Sequence, residues 1–178
     1  MITRPTETEY VPFYAGYIAR VPNEDLFTLW ENQPATLSGL VSTLTAEGAD
    51  FRPAPGEWSI KEVVGHINDT ERVFAYRALR ISRADSTPLA GFEQDAYVRE
   101  SNFGLRTLYD LLEEFALLRR ANLLAFTKLT PDMLVRMGTA SNNPVSVRAL
   151  LYMIAGHVEH HLESLRVDYL PKMVSQAK

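Results

Sequence analysis

The sequence predicts an all-α fold: a four-helix bundle of one domain, with a long connection between its second and third helices. Apolar residues recur at helical spacing in four separate segments, and no segment shows the sustained alternation of a half-buried strand. With 178 residues, 46% hydrophobic and 22% charged, the chain is long enough for one sizeable core and has an ordinary globular composition. The single domain, 1–178, includes an N-terminal arm over residues 1–22 that carries Tyr10, Phe13, Tyr14 and Tyr17.

The first helix is expected to start near Pro22-Asn23, with Asn23 as cap, and to bury Leu26, Leu29, Trp30, Gln33, Leu37, Leu40 and Leu44. Pro34 should kink or divide it, and Glu47-Gly48 should end it. Residues 51–58 hold two prolines and a glycine and cannot be helical. Ser59-Ile-Lys-Glu62 then reads as a capping box opening the second helix, whose stripe is Ile60, Val63, Val64, Ile67, Phe74, Ala78 and Ile81. Residues 82–104 are polar and aperiodic, and a connection of that length is more often functional than idle. The third helix covers about 106–129, with Leu108, Leu111, Leu112, Phe115, Leu118, Asn122 and Ala125 inward. After a loop over 130–144, Ser146 caps a fourth helix over about 147–169, with Val147, Leu150, Ile154, Val158, Leu165 and Tyr169 on its stripe.

Composition removes several function classes. The net charge is −4, and no run of lysine and arginine interleaves with aromatics, which argues against binding nucleic acid through a phosphate-neutralising patch. No stretch approaches the roughly 18 apolar residues of a membrane span, and the first residues lack the apolar core of a signal peptide. The absence of cysteine removes disulfides, thiolate ligands and a cysteine nucleophile together, and fits a cytoplasmic protein.

The histidines point to a chemistry. Three of the four, His157, His160 and His161, fall within five residues of the fourth helix, and His66 lies on the flank of the second helix's stripe. Residues four apart share a helix face, so His157 and His161 can offer two imidazoles to one metal ion. A third from His66 would complete a three-nitrogen set with coordination positions left open. The plainer reading is three core histidines with their ring nitrogens hydrogen-bonded. His160 is rotated from the stripe's centre and fits a supporting or surface role. Asp69, one turn after His66, could orient its imidazole by accepting the second N–H, or could lie on a solvated face. Glu62, Glu71, Glu159 and Glu163 read as surface carboxylates. Trp58 and Tyr97 have plain packing explanations; alternatively, Trp58 braces the helix of His66 while Phe92, Asp95 and Tyr97 cover the metal, with the Tyr97 phenol donating to a substrate.

Taken together, these pieces resemble the DinB/YfiT-like superfamily of metal-binding four-helix bundles. The matching pieces are Pro-Gly-Glu-Trp-Ser-Ile-Lys-Glu-Val-Val-Gly-His over 55–66, Gln-Asp-Ala-Tyr over 94–97 and Gly-His-Val-Glu-His-His over 156–161. The arm's Tyr-Ala-Gly-Tyr-Ile-Ala-Arg-Val-Pro over 14–22 is similar to one subgroup. The resemblance implies a divalent metal, nickel or zinc, held by His66, His157 and His161, with His160 not a ligand. It also implies relatives that are transferases for low-molecular-weight thiols, such as bacillithiol or mycothiol, and a thiol-dependent isomerase. The expected function is therefore a metal-dependent enzyme moving a thiol onto a small-molecule electrophile, the thiol arriving as cosubstrate. The alternatives are a metal-dependent hydrolase and a non-catalytic metal-binding or stress-response protein. The aromatic arm, together with the frequent pairing of family members, suggests a homodimer.

Overall fold

Every long helix begins where a side chain can satisfy its free N–H groups. The computed structural model describes residues 2–176. Its helices are α1 (Ala15–Arg20), α2 (Leu26–Val41), α3 (Ala46–Ala49), α4 (Ile60–Ser82), α5 (Gln94–Arg99), α6 (Leu108–Phe126), α7 (Pro131–Leu134), α8 (Val147–Ser164) and α9 (Leu170–Gln176). A wider turn of π-helix, Leu165–Tyr169, joins α8 to α9. Asp25, not Asn23, caps α2, its carboxylate accepting from the N–H groups of Phe27 and Thr28. The predicted capping box opens α4: Glu62 N–H donates to Ser59 Oγ at 3.2 Å, and Ser59 N–H returns to Glu62 Oε2 at 2.7 Å. Ser146 caps α8 as expected.

Pro34 does not divide α2. The residues buried on either side of it, Leu29 and Trp30 before, Leu37 and Val41 after, hold the helix together through a lost hydrogen bond. The helix ends at Val41 rather than near residue 47, which belongs to the separate short helix α3.

The bundle is made by α2, α4, α6 and α8. Helix α4 packs against α6 and α8, and α2 against the same two, so the consecutive long helices α2 and α4 lie diagonally across the bundle. Helix α8 is buried on nearly every side, because α1 covers the face that the bundle leaves free. The aromatic arm thus folds back over its own bundle and is not the free apolar surface that suggested a homodimer. Of its four aromatics only Phe13 stays exposed, at 76%. On α6 the inward face is Leu111, Phe115, Arg119 and Phe126; Ala125, expected inside, is exposed.

The expectation of no strands is corrected by one hairpin, β1 (Met137–Ala140) with β2 (Asn143–Ser146), paired antiparallel from Met137↔Ser146 to Ala140↔Asn143. Its two-residue turn has positive φ at Ser141 and Asn142, 51° and 63°, the conformation that suits a tight hairpin. The strands have four residues each and include Pro144, too short and too interrupted to register as alternation. Leu89 of the long connection bridges to Ala140, which fastens that connection to the hairpin. Among the described residues no helix is long and apolar enough to cross a membrane.

The apolar core falls into two clusters, and a polar layer separates them. One cluster holds Leu29 and Trp30 of α2, Phe74 of α4, Phe126 of α6 and Ala155 of α8; the other holds Leu37, Ile67, Phe115 and Val158 from the same four helices. Where they meet lie the buried polar side chains Gln33 of α2, His66, Thr70 and Glu71 of α4, Arg119 of α6 and His157 of α8.

Candidate metal centre

Helix α4 brings His66 against α8, where His157 and His161 project together as their spacing predicts. The Nε2 atoms of His66 and His157 are 2.9 Å apart, and those of His157 and His161 are 3.0 Å apart. One ring nitrogen from each of the three lies within 4.8 Å of the others, and all three side chains are buried. Aromatic rings fix the imidazoles: Trp58 packs on His66 at 4.7 Å between centroids, and Tyr17 meets His157 edge-on at 5.4 Å. The Trp58 brace is thus a direct contact with the histidine.

Burial controls the charge of this cluster. It pushes the His66 imidazole down to about 4, with a smaller contribution from His160. His157 and His161 are held well below the ordinary histidine value, again first by burial and then by their neighbouring imidazoles. All three are therefore neutral at pH 7, the form that binds metals. A neutral imidazole has one lone pair, and three such rings facing one point cannot all satisfy it with each other's single N–H. A divalent cation can. Three nitrogens about 2.0–2.1 Å from one tetrahedral ion lie about 3.3 Å apart, close to the separations between successive rings here. The residues present fit a metal.

Two cavities flank the cluster. The larger, about 670 Å³, is lined by His161 and His160 together with Arg52, Glu57, Trp58, Asp95, Arg99 and Tyr169. The smaller, about 260 Å³, lies over His66 and His157. Tyr17 and Gln94 line both. The widened turn after α8 carries Tyr169, whose hydroxyl is pushed up to about 12 by burial and nearby carboxylates.

Other expected site residues fall elsewhere. His160 is half-buried, packs against His161 and Tyr17, and stands outside the converging set. Asp69 does not reach the imidazoles; its charged neighbours are Arg72, Glu114 and Arg106, and burial raises its carboxyl pKa. Thr70 is the side chain one turn from His66 that approaches it, Oγ1 to Nε2 at 3.5 Å. Tyr97 is 48% exposed and packs on Phe92, lining neither cavity, so the proposed phenol donor is corrected. The helical turn of α5 sends Gln94 and Asp95 to the cavities and Tyr97 outward. The long connection does line the cavities, through the expected Phe92 and Asp95 and through Gln94, but not through Tyr97.

Glu71 is also corrected. It is buried and accepts from Arg119 Nη2 at 2.9 Å and from Asn122 at 2.8 Å. Arg119 also donates to Gln33 Oε1 at 2.7 Å and lies over the Trp30 and Phe115 rings. Gln33 in turn donates to the Ala155 carbonyl and to Glu159, two residues from His157 on either side. Glu62 is half-buried, clamped by Arg52 at 2.6 and 2.9 Å. Tyr17 was legible only as part of the arm; its place depends on Gly156, where a Cβ would lie 1.9 Å from the Tyr17 carbonyl oxygen.

Comparison with known proteins agrees with this architecture. A protein of Oceanobacillus iheyensis named "Putative metal-dependent hydrolase" is 26% identical over 135 residues, 74% of this chain and 76% of its own. The structure of YfiT from Bacillus subtilis, described as a probable metal-dependent hydrolase with an unusual four-helix bundle topology, superimposes with a TM-score of 0.75. That match covers 98% of this chain and 94% of YfiT at 15% identity, and so speaks for the fold. The DinB superfamily model matches residues 29–165, a span that runs from α2 to the end of α8 and contains all three converging histidines. The chain belongs to the DinB superfamily.

Proposed function

We propose that the protein is a metal-dependent enzyme acting on a small polar molecule, with His66, His157 and His161 as the protein ligands of one divalent ion. The observation that carries the reading is the convergence of three buried, neutral ring nitrogens beside a cavity of about 670 Å³. Nickel or zinc held there would supply Lewis acidity, lowering the pKa of a water or thiol that it binds. The chain's own residues do the rest. Tyr17 has its hydroxyl pKa raised, chiefly by burial and then by Tyr14, so it stays a protonated phenol able to donate to substrate at neutral pH. Gln94 offers an amide at the junction of the two cavities, and Arg52, Arg99 and Asp95 give the larger one charge of both signs for orienting a polar substrate.

The finer reading is transfer of a low-molecular-weight thiol to an electrophile. The chain has no cysteine, so a nucleophilic sulfur must enter as cosubstrate, and the larger cavity has room for one. Hydrolysis is the second reading, favoured by the name of the Oceanobacillus iheyensis relative. Protein purified without a histidine tag and loaded with zinc or nickel should be assayed against thiols paired with electrophiles, and against activated esters and amides. Consumption of thiol and electrophile in equal amounts, dependent on metal, is the expected result. Turnover without thiol supports hydrolysis, and no turnover across the panel with metal bound refutes an enzyme.

A further inference from the structure

The two cavities beside the histidines differ in chemistry. Five aromatic side chains, Phe13, Tyr14, Tyr17, Phe74 and Phe92, wall the smaller one, together with Thr70, Gln94 and the imidazoles of His66 and His157. Its one charged lining residue, Glu93, already accepts from the Ala96 N–H as the cap of α5, and a carboxylate there disfavours an anionic occupant. Arg52, Glu57, Glu62, Asp95 and Arg99 line the larger cavity instead. Tyr17 and Gln94 belong to both, so a molecule reacting at the histidine cluster would have one end in each.

We propose that the smaller cavity is the subsite for an aromatic, or similarly compact apolar, group attached to the reacting centre of the substrate, while the substrate's polar remainder occupies the larger cavity. The inference rests on the reading of the histidine cluster as that reacting centre. Size fits: an apolar cavity of about 150 Å³ takes a benzene ring, and this one measures about 260 Å³. The wall is held in place before any ligand arrives. Phe92 packs on Tyr97 at 5.3 Å and under the Arg77 guanidinium at 5.9 Å. Arg77 is itself fixed by donating to the Ala90 carbonyl at 2.8 Å and to Ser141 Oγ at 3.0 Å. Tyr14 meets Phe74 edge-on at 6.0 Å. A wall fixed in this way loses little entropy when a ring enters. Phe13, exposed among these packed aromatics, offers the ligand a further face.

The test uses probes that separate the subsite from the metal. Benzyl alcohol titrated into isotope-labelled protein, both metal-free and zinc-loaded, should give saturable NMR shifts at the Thr70 methyl and the Phe92 ring. Calorimetry on the zinc-loaded protein should show benzohydroxamate binding about tenfold or more tighter than acetohydroxamate, equivalent to ~1.4 kcal/mol. Phe92→Ala should bring the two hydroxamates together, and the exposed-residue variant Phe13→Ala, which leaves the core intact, should narrow their ratio. Equal hydroxamate affinities in the unaltered protein, or benzyl alcohol shifts mapping elsewhere, overturn the subsite and leave the metal reading standing. Benzyl alcohol binding at Thr70 and Phe92 with no hydroxamate affinity overturns the metal-centred reading and, with it, the attachment of the bound ring to a reacting centre at the histidines.

Discussion

Gly156→Ala tests how the N-terminal arm completes the site, because two effects of opposite sign meet there. In an unobstructed helix, alanine is more favourable than glycine by about 1 kcal/mol. At position 156 the added Cβ would lie 1.9 Å from the carbonyl oxygen of Tyr17, 2.5 Å from its carbonyl carbon and 3.1 Å from its Cα. These are backbone atoms of α1, so no side-chain rotation relieves the clash. Reaching the 3.4 Å of ordinary contact from 1.9 Å means that α1 must retreat by about 1.5 Å, the difference of the two. Overpacking of this kind costs roughly 1–3 kcal/mol, and a backbone obstacle argues for the upper part of that range. The net expectation is a loss of about 1–2 kcal/mol, after the propensity gain is subtracted. The same retreat would draw Tyr17 away from His157 and His160 and strain the Arg20–Glu163 pair, now 3.0 Å apart. Gly39 is the internal control: on the exposed side of α2, its Cβ would meet nothing within 4 Å, so Gly39→Ala should stabilise by about 0.5–1 kcal/mol. Urea unfolding of the two variants beside the unaltered protein decides. A Gly156→Ala protein as stable as the parent, or more so, would mean that α1 does not pack on α8 as described.

His161→Ala should weaken zinc binding by more than about 100-fold in calorimetric titration, whereas His160→Ala should cost far less, since the His160 ring stands outside the converging set; equal losses would show the ligands to be misassigned. Metal-free protein should lose stability as pH falls from 6.5 towards about 4, because the unfolded chain takes up protons that the buried imidazoles refuse. For His66 the displacement from 6.5 to about 4 is worth roughly 3 kcal/mol, fully present above pH 6.5 and all lost below pH 4; zinc should shift the acid transition to lower pH, and urea midpoints that stay flat across this window would contradict the buried neutral cluster. Glu71→Gln should destabilise by about 3–5 kcal/mol by leaving the Arg119 cation buried without its carboxylate, while the double replacement Glu71→Leu with Arg119→Met should recover much of that in denaturant melts.

Local signals made much of this architecture readable. The capping box at Ser59, the cap at Ser146 and the apolar stripes of α4 and α8 are set by neighbours within one or two turns, so the sequence alone locates them. The histidine pair is legible for the same reason: a spacing of four on one helix is a statement about geometry. His66 needed the added fact that α4 lies along α8. What stayed hidden depends on contacts distant in sequence. Tyr17 reaches the site because Gly156 lets α1 approach, and no periodicity in either segment announces that pairing. Phe92 and Asp95 face the cavities as expected and Tyr97 does not, because the direction of each side chain in the connection depends on the phase of a six-residue helix that no periodicity in the sequence reveals.

The polar layer left a signal that was there to be read. Glu71 lies four residues after Ile67 and three before Phe74, and Arg119 lies four after Phe115, so each interrupts an apolar stripe at the position that faces the core. Either charge alone would be expensive to bury; two of opposite sign on facing stripes imply each other. Their net contribution to stability is small by comparison with an apolar replacement, but their effect on helix register is not. A slip of α4 by one turn, about 5.4 Å, would part Glu71 from Arg119 and leave both unpaired in the core. The same slip would carry His66 a full turn from His157, because His66 and Glu71 ride on one helix five residues apart. On the α8 side, Gln33 joins Arg119 to the Ala155 carbonyl and to Glu159, which bracket His157. One buried arginine thus ties together the registers of the two helices that supply the imidazoles, and the register that satisfies its hydrogen bonds is the one in which three ring nitrogens meet.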